Sequence, residues 1–550
     1  MNPMNAIRNP ATLSLEEKIG QMLLIGFPAG KEGLDHLSRA IDEFAAGNFI
    51  LFSRNVRQPE DVYKLTAFIR SAVLKRVALP PLIAVDQEGG IVARVKDGVT
   101  PIPGAMSQAA AVAGGAISIG DLCELGRICG TELAALGINW NLAPVADVNN
   151  NPANPVIGVR SYGDDPQKVA EMSAAFSQGL AEAGVLATGK HFPGHGDTKI
   201  DSHLGLPVID IDSDRLEQVE LVPFRRLISQ GIGAIMTAHV RFPAVEAEAL
   251  PATLSRRIVD GLLRKKLGFT GLITSDCLEM RAIADHYPDA GVLAVEAGVD
   301  MLDISHTFEL QKEAARALVA AVREGRIAES RIDESVVRIL AAKSALATPC
   351  ETWEEAKKNI AVPSSFDLSR SVHKASLSLV VKGAGLPPSP DFVYVDVTPH
   401  DLTGVEDSSA GTGKAQTVSW FLTKAKESRV VAIPVSIDPT EEEIARVLVA
   451  SVGRDVVMGL FRAVDHEAQT RLAVLMDTQC RRNGKKLAFV SMRGPYDASV
   501  IRRALGGNST EVPRAFMCAY EYTGTAAEFI AEFLLRPFDL EGIVPVAGVS

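Results

Sequence analysis

The sequence predicts an α/β protein of two domains, an N-terminal (β/α)8, TIM-like barrel followed by a smaller C-terminal α/β sandwich. Three observations carry that prediction. Eight short apolar runs alternate with amphipathic helical segments over the first 345 or so residues, the signature of βαβ units. Ionisable residues fall at or just after the C-terminal ends of five of those runs, where such barrels build their active-site loops. Around residues 345–375 the pattern breaks, and a new set of strands and helices follows.

In chain order the barrel runs are 22–27, 49–52, 82–86, 138–145, 186–191, 234–239, 272–276 and 301–304. They are continuously apolar rather than alternating, as expected of parallel strands buried on both faces. Amphipathic helices are predicted at 60–76, 118–136, 166–183, 214–230, 257–266 and 309–324. The polar, proline-flanked stretch ATPCETWEEAKKNIAVPSS reads as a boundary with its own short helix. Beyond it, strands are predicted at 376–381, 391–397, 429–434, 456–460, 486–491 and 514–519, with helices at 441–452, 465–482 and 526–535. That order suits an open, doubly wound sheet. The expected division is the (β/α)8 barrel over 1–347, a linker over 348–372 and the α/β sandwich over 373–550. The Gly/Ser-rich stretch 404–416 reads as a loop, and its GTGK does not satisfy the phosphate-loop pattern.

Composition narrows the function class. At 550 residues the chain exceeds one ordinary core. Hydrophobic residues at 47% and charged residues at 22% are values of a soluble globular protein. A formal charge of −11 without a basic stripe argues against nucleic acid, and there is no polybasic run for a membrane surface. The six cysteines lack C-x-x-C spacing and read as free thiols of a reducing compartment. The N-terminus lacks a secretory apolar stretch, and no run reaches the roughly 18 apolar residues of a membrane span. The expectation is a cytoplasmic protein, monomer or homodimer.

The densest chemistry lies in residues 189–207, GKHFPGHGDTKIDSHLGLP. Glycine punctuation makes this a poor helix and a poor strand, so it reads as a loop that aims side chains. Asp201 and His203, two apart, can face the same way in an extended segment. A carboxylate beside an imidazole suits a general acid/base near neutral pH, although a D-S-H triplet taken alone fits a turn or cap better. His191 and His195 have His-x-x-x-His spacing, but Pro193 and Gly194 exclude the helical presentation of a zinc site. Asp276 ends the run GLITSD and could be a nucleophile or a helix N-cap. Asp86 with Arg94, and Arg160 with Asp164, could hold a polar ligand or brace the rim.

Five strings together resemble family 3 glycoside hydrolases, in their bacterial β-N-acetylglucosaminidase (β-hexosaminidase) branch of two-domain type. They are AVDQEGGIVAR, LAPVADVNNNPANPVIGVRSYGDDP, GKHFPGHGDTKIDSHLGLP, IMTAHV and ITSDCLEM, in order over about residues 14–345. The resemblance implies a retaining exo-glycosidase without a cofactor or metal. Asp276 would be the nucleophile that forms a glycosyl-enzyme, and His203 with Asp201 the acid/base pair. Asp86, Arg94, Arg160, Lys190 and His191 would bind the sugar hydroxyls. Cys277, directly after the nucleophile, departs from the small or acidic residue more usual there. The implied substrate is a terminal β-linked N-acetylglucosamine on cell-wall-derived muropeptides or chitin-type oligosaccharides. A β-glucosidase or a phosphorylase of the same family is the alternative.

Overall fold

The computed structural model describes residues 10–198, 205–398, 430–506 and 514–549. Asp201, His203 and the stretch 404–416 lie outside them. Eight parallel strands form the first sheet: β1 (Leu23–Ile25), β2 (Asn48–Leu51), β3 (Leu82–Val85), β4 (Trp140–Asn141), β5 (Leu186–Phe192), β6 (Ala234–Thr237), β7 (Leu272–Ser275) and β8 (Leu302–Ile304). They pair in the order β8-β1-β2-β3-β4-β5-β6-β7. A parallel bridge between Thr274 and Met301 joins the two ends and closes the ring. Every residue of β1, β2, β3 and β5 is buried, which matches their mainly apolar or small-residue character, with Asn48 in β2 and Thr188, Lys190 and His191 in β5 as the polar exceptions.

One strand and one helix differ from expectation for reasons that proline supplies. The expected run 138–145 is split into β4 and a single bridge from Val145 to Lys190. Pro144 lies between them and has no N–H for a ladder. The expected helix 214–230 is three segments, Ser213–Arg215, a widened π segment Leu216–Glu220, and Leu221–Ser229. Pro223 cannot donate back into the preceding turn, and the turn before it opens. Barrel helices beyond those predicted include Gly30–Phe44, Ala105–Ala113, Ala290–Ala297 and Glu329–Ser344. In the first, Leu37, Ala40, Ile41 and Phe44 make a buried stripe at helical spacing.

The second sheet has six strands: β9 (Ser378–Val381), β10 (Phe392–Thr398), β11 (Val431–Ser436), β12 (Asp455–Leu460), β13 (Leu487–Ser491) and β14 (Ala515–Cys518). Their order is β9-β14-β13-β12-β10-β11. All neighbours are parallel except β9 with β14, so the order turns back between β10 and β12 as in a doubly wound sheet. Helix Pro363–Ser376 precedes it.

One buried carboxyl in this sheet makes a testable stability contribution. Asp396 of β10 is 2% exposed, and its Oδ2 has no hydrogen-bond partner among the described residues. Burial pushes its pKa up to about 7. Below roughly pH 4 the carboxyl is protonated in both folded and unfolded chains and costs nothing. As pH rises toward 7 the unfolded chain releases its proton first, so stability falls by up to about 1.4 kcal/mol per pH unit from this group. Asp396→Asn is therefore expected to leave stability unchanged at pH 3 and to raise it at pH 8. Urea denaturation at both pH values measures the difference, and equal effects at both would contradict it.

Candidate active site

The C-terminal ends of the barrel strands converge on a cavity of about 300 Å³. Asp86 follows β3, Lys190 and His191 lie in β5, Asp276 follows β7, and Arg94 and Arg160 enter from the loops after β3 and β4. All six line the cavity. Lys190 and His191 are consecutive, yet both reach it. A register shift between β5 and β6 at Gly189 and Phe192 re-aims this stretch, a common use of irregular pairing beside active sites.

Much of the wall is a chain of buried charges. Lys190 Nζ donates to Asp86 Oδ1 at 2.8 Å and lies 2.6 Å from Glu88 Oε1. Arg94 Nη2 donates to Asp86 Oδ2 at 3.3 Å. Arg160 grips Glu88 with two bonds, Nε to Oε2 at 2.9 Å and Nη2 to Oε1 at 2.7 Å. Both guanidinium groups thus brace the rim and line the cavity. Burial alone would raise the Asp86 carboxyl, but the Lys190 and Arg94 charges outweigh it and hold it below its usual range. The same opposition, with Arg160 as the strongest partner, holds Glu88 far below. Against its own desolvation, Lys190 is raised by Asp86 and Glu88. The wall presents a fixed anionic acceptor and fixed cationic donors, as sugar hydroxyls require.

Glu88 sits on a short hairpin formed by Gln87–Gly89 and Val92–Ala93. Its turn needs Gly89 and Gly90, at φ 98° and 56°, where side-chain-bearing residues are disfavoured. The Asn141 side chain pairs with both backbone groups of Gln87 at 3.0 Å, tying the hairpin to β4.

Asp147 stands one layer behind the cavity. It accepts from His191 Nδ1 at 2.7 Å and from the His195 amide at 2.7 Å, which leaves His191 Nε2 for a ligand. Burial raises the Asp147 carboxyl, but His191 overrides it and the net shift is downward. Burial, and then the neighbouring His191, push His195 down to about 4, so it is neutral. The His191 and His195 rings meet edge to face, with one nitrogen of each engaged by Asp147 and Thr198. Among the described residues no group of three His, Cys, Asp or Glu is placed to hold a metal.

Asp276 Oδ1 accepts the Cys277 amide at 2.8 Å. It caps no helix, because the next one, Arg281–Ala284, has Met280 at its N-cap. His239, just after β6, is fully buried and donates Nε2–H to the Cys277 carbonyl at 2.9 Å. Burial pushes the Cys277 thiol far up, so it stays protonated. Asp164 turns away and accepts the Ala547 amide.

Sequence reasoning gave no role to Glu88, which pairs with cavity residues from behind the wall, or to Asp303, which lines the cavity. Glu88 stood inside a quoted string without a role, and only its two cationic neighbours in space reveal one. Asp303, in the middle of β8, lines the cavity at 3% exposure and accepts from Ser305 Oγ at 2.6 Å. Its burial first, and then the nearby Asp276 and Asp86, raise its carboxyl well above the usual range. A charged residue inside an apolar strand was the available signal.

Residues 14–342 match the family model for the glycosyl hydrolase family 3 N-terminal domain. The chain is 30% identical over 556 aligned residues to β-hexosaminidase A of Pseudoalteromonas piscicida, covering 93% of this chain and 90% of that one. It is 38% identical over 288 residues to a β-hexosaminidase of Thiobacillus denitrificans, covering 52% and 78%. Its fold superposes on the family 3 β-N-acetylglucosaminidase of Paenibacillus sp. FPU-7 with a TM-score of 0.87, at 38% identity, covering 97% of this chain and 99% of the other. With the family model covering the whole barrel and a two-domain relative matched end to end, this chain belongs to glycoside hydrolase family 3, in its bacterial β-hexosaminidase branch.

Proposed function

We propose that the cavity releases a terminal β-linked N-acetylglucosamine with retention of configuration. The observation that carries this reading is the convergence of Asp276, Asp86, Arg94, Arg160, Lys190 and His191 on one cavity. The similarity to a β-N-acetylglucosaminidase structure supports the choice of sugar. Asp276 attacks the anomeric carbon and the glycosidic bond breaks, giving a glycosyl-aspartate. His203, paired with Asp201, gives its proton to the leaving oxygen, then takes one from the incoming water. Retaining enzymes commonly use a second carboxylate about 5–5.5 Å from the first for this task, and here a His–Asp pair replaces it. Asp86 accepts from sugar hydroxyls, while Lys190 and the two arginines donate. Oligosaccharides from cell wall or chitin are the substrates proposed for a cytoplasmic enzyme of this kind.

Release of nitrophenol from 4-nitrophenyl N-acetyl-β-D-glucosaminide is expected, with little from the matching β-glucoside and no acceleration by phosphate. Activity confined to the glucoside would overturn the sugar assignment, and acceleration by phosphate would make the protein a phosphorylase. Exhaustive chelation is expected to leave turnover unchanged, since no step of this mechanism needs a metal.

A further inference from the structure

Three adjacent parallel strands of the second sheet, β12, β13 and β14, end against the two barrel loops that carry Glu88 and Arg160. After β12, Arg462 Nη1 donates to the Pro155 carbonyl at 3.0 Å. After β13, the Tyr496 hydroxyl accepts from Asn149 Nδ2 at 2.6 Å. After β14, Glu521 Oε2 accepts the Gly104 amide at 2.6 Å and the Ser107 hydroxyl at 3.1 Å. Glu521 Oε1 lies 2.9 Å from His373 Nε2, and both side chains are buried.

The approach is close. A Cβ on Gly90 or Gly104 would meet Glu521 Oε2 at 3.0 or 3.1 Å. Arg462 and Tyr520 hold left-handed backbone, φ 51° and 62°, a conformation that residues other than glycine keep when their surroundings enforce it. Val159, next to Arg160, belongs to the apolar core of the second sheet rather than to the barrel's, and Ile91 packs against that same core. Only a void of about 10 Å³ separates Glu88 and Arg160 from Tyr520 and Glu521.

We infer that the second domain is a positioning part of the sugar site: Arg462, Tyr496 and Glu521 hold the loops on which Glu88 and Arg160 meet. The barrel supplies Asp86, Lys190 and Asp276 from its strand ends, but the Arg160–Glu88 pair is set from outside it. Displacing a binding group slightly weakens ground-state and transition-state binding together, which appears in KM rather than kcat.

The inference rests on the cavity being the glycosyl site, so it is measured on whichever nitrophenyl glycoside the wild type cleaves. A wrong sugar then leaves the comparison intact, whereas no cleavage of any glycoside would sink the functional reading instead. Tyr496→Phe removes one oxygen, Arg462→Ala one donor, and Glu521→Gln the charge. In folded full-length protein each is expected to raise KM about tenfold with kcat within about twofold. Arg462→Lys, which can still donate to Pro155, should recover most of the loss. Val464→Ser, at a neighbouring exposed residue, should change neither constant. A purely structural role would lower the thermal midpoint and leave KM at 25 °C unchanged. Unchanged KM in Tyr496→Phe and Arg462→Ala, or an equal rise in Val464→Ser, would overturn the inference.

Discussion

Replacing Asp276 by alanine is expected to lower kcat by about 10⁴-fold or more while leaving the affinity for a glycosyl ligand within about tenfold. The carboxylate follows β7 into the cavity and is spent on no helix terminus. The ion-paired walls of the cavity, Asp86 with Lys190 and Arg94, and Glu88 with Arg160, do not depend on it. Nitrophenol release under saturating substrate, with calorimetric titration of the released sugar, separates the two quantities. A variant that kept full turnover would show that the nucleophile lies elsewhere.

Glu88→Ala is expected to be the most damaging change outside the reacting atoms. Glu88 is 8% exposed and neutralises both Arg160 and Lys190. Without it those cations remain in a dry wall, and breaking a buried pair in this way costs roughly 3–5 kcal/mol. The kcat/KM should fall by about 100-fold or more, because both donors lose their aim. Glu88→Gln keeps the shape but not the charge, and should lose nearly as much stability. Since Arg160 and Lys190 hold the Glu88 carboxyl far below its ordinary range, its stabilisation is complete above the unfolded-state value near pH 4. It drains away only as pH falls below that. The stability gap between wild type and Glu88→Ala should therefore be full at pH 7 and narrower at pH 3. Urea denaturation at the two pH values measures it, and a gap that widened on acidification would contradict the assignment.

Much of the barrel is legible because burial leaves a local mark. Runs such as LIAV at β3 and LITS at β7 are short, apolar or small, and flanked by turns, so each can be recognised without its neighbours. Asp86, Lys190, His191 and Asp276 were legible for a related reason: a parallel barrel places the ends of all its strands on one rim. The finer errors also have local causes. Pro144 and Pro223 interrupt elements that periodicity alone would continue. The Gly30–Phe44 helix carried its stripe in plain view and went unread.

What the sequence determined by itself is therefore the order of the elements, the fold class they imply, and the set of polar residues at the rim. Side-chain period and turn chemistry are local, and they write these directly into the chain. Only the tertiary structure decided that Glu88 serves both Arg160 and Lys190, that Asp147 stands behind His191, and that Asp303 joins the cavity. It alone brought Arg462, Tyr496 and Glu521 to loops more than 300 residues earlier in the chain. Such partners share no period or spacing. They meet because two independently patterned sheets dock with their strand ends face to face, and long-range packing leaves no local trace.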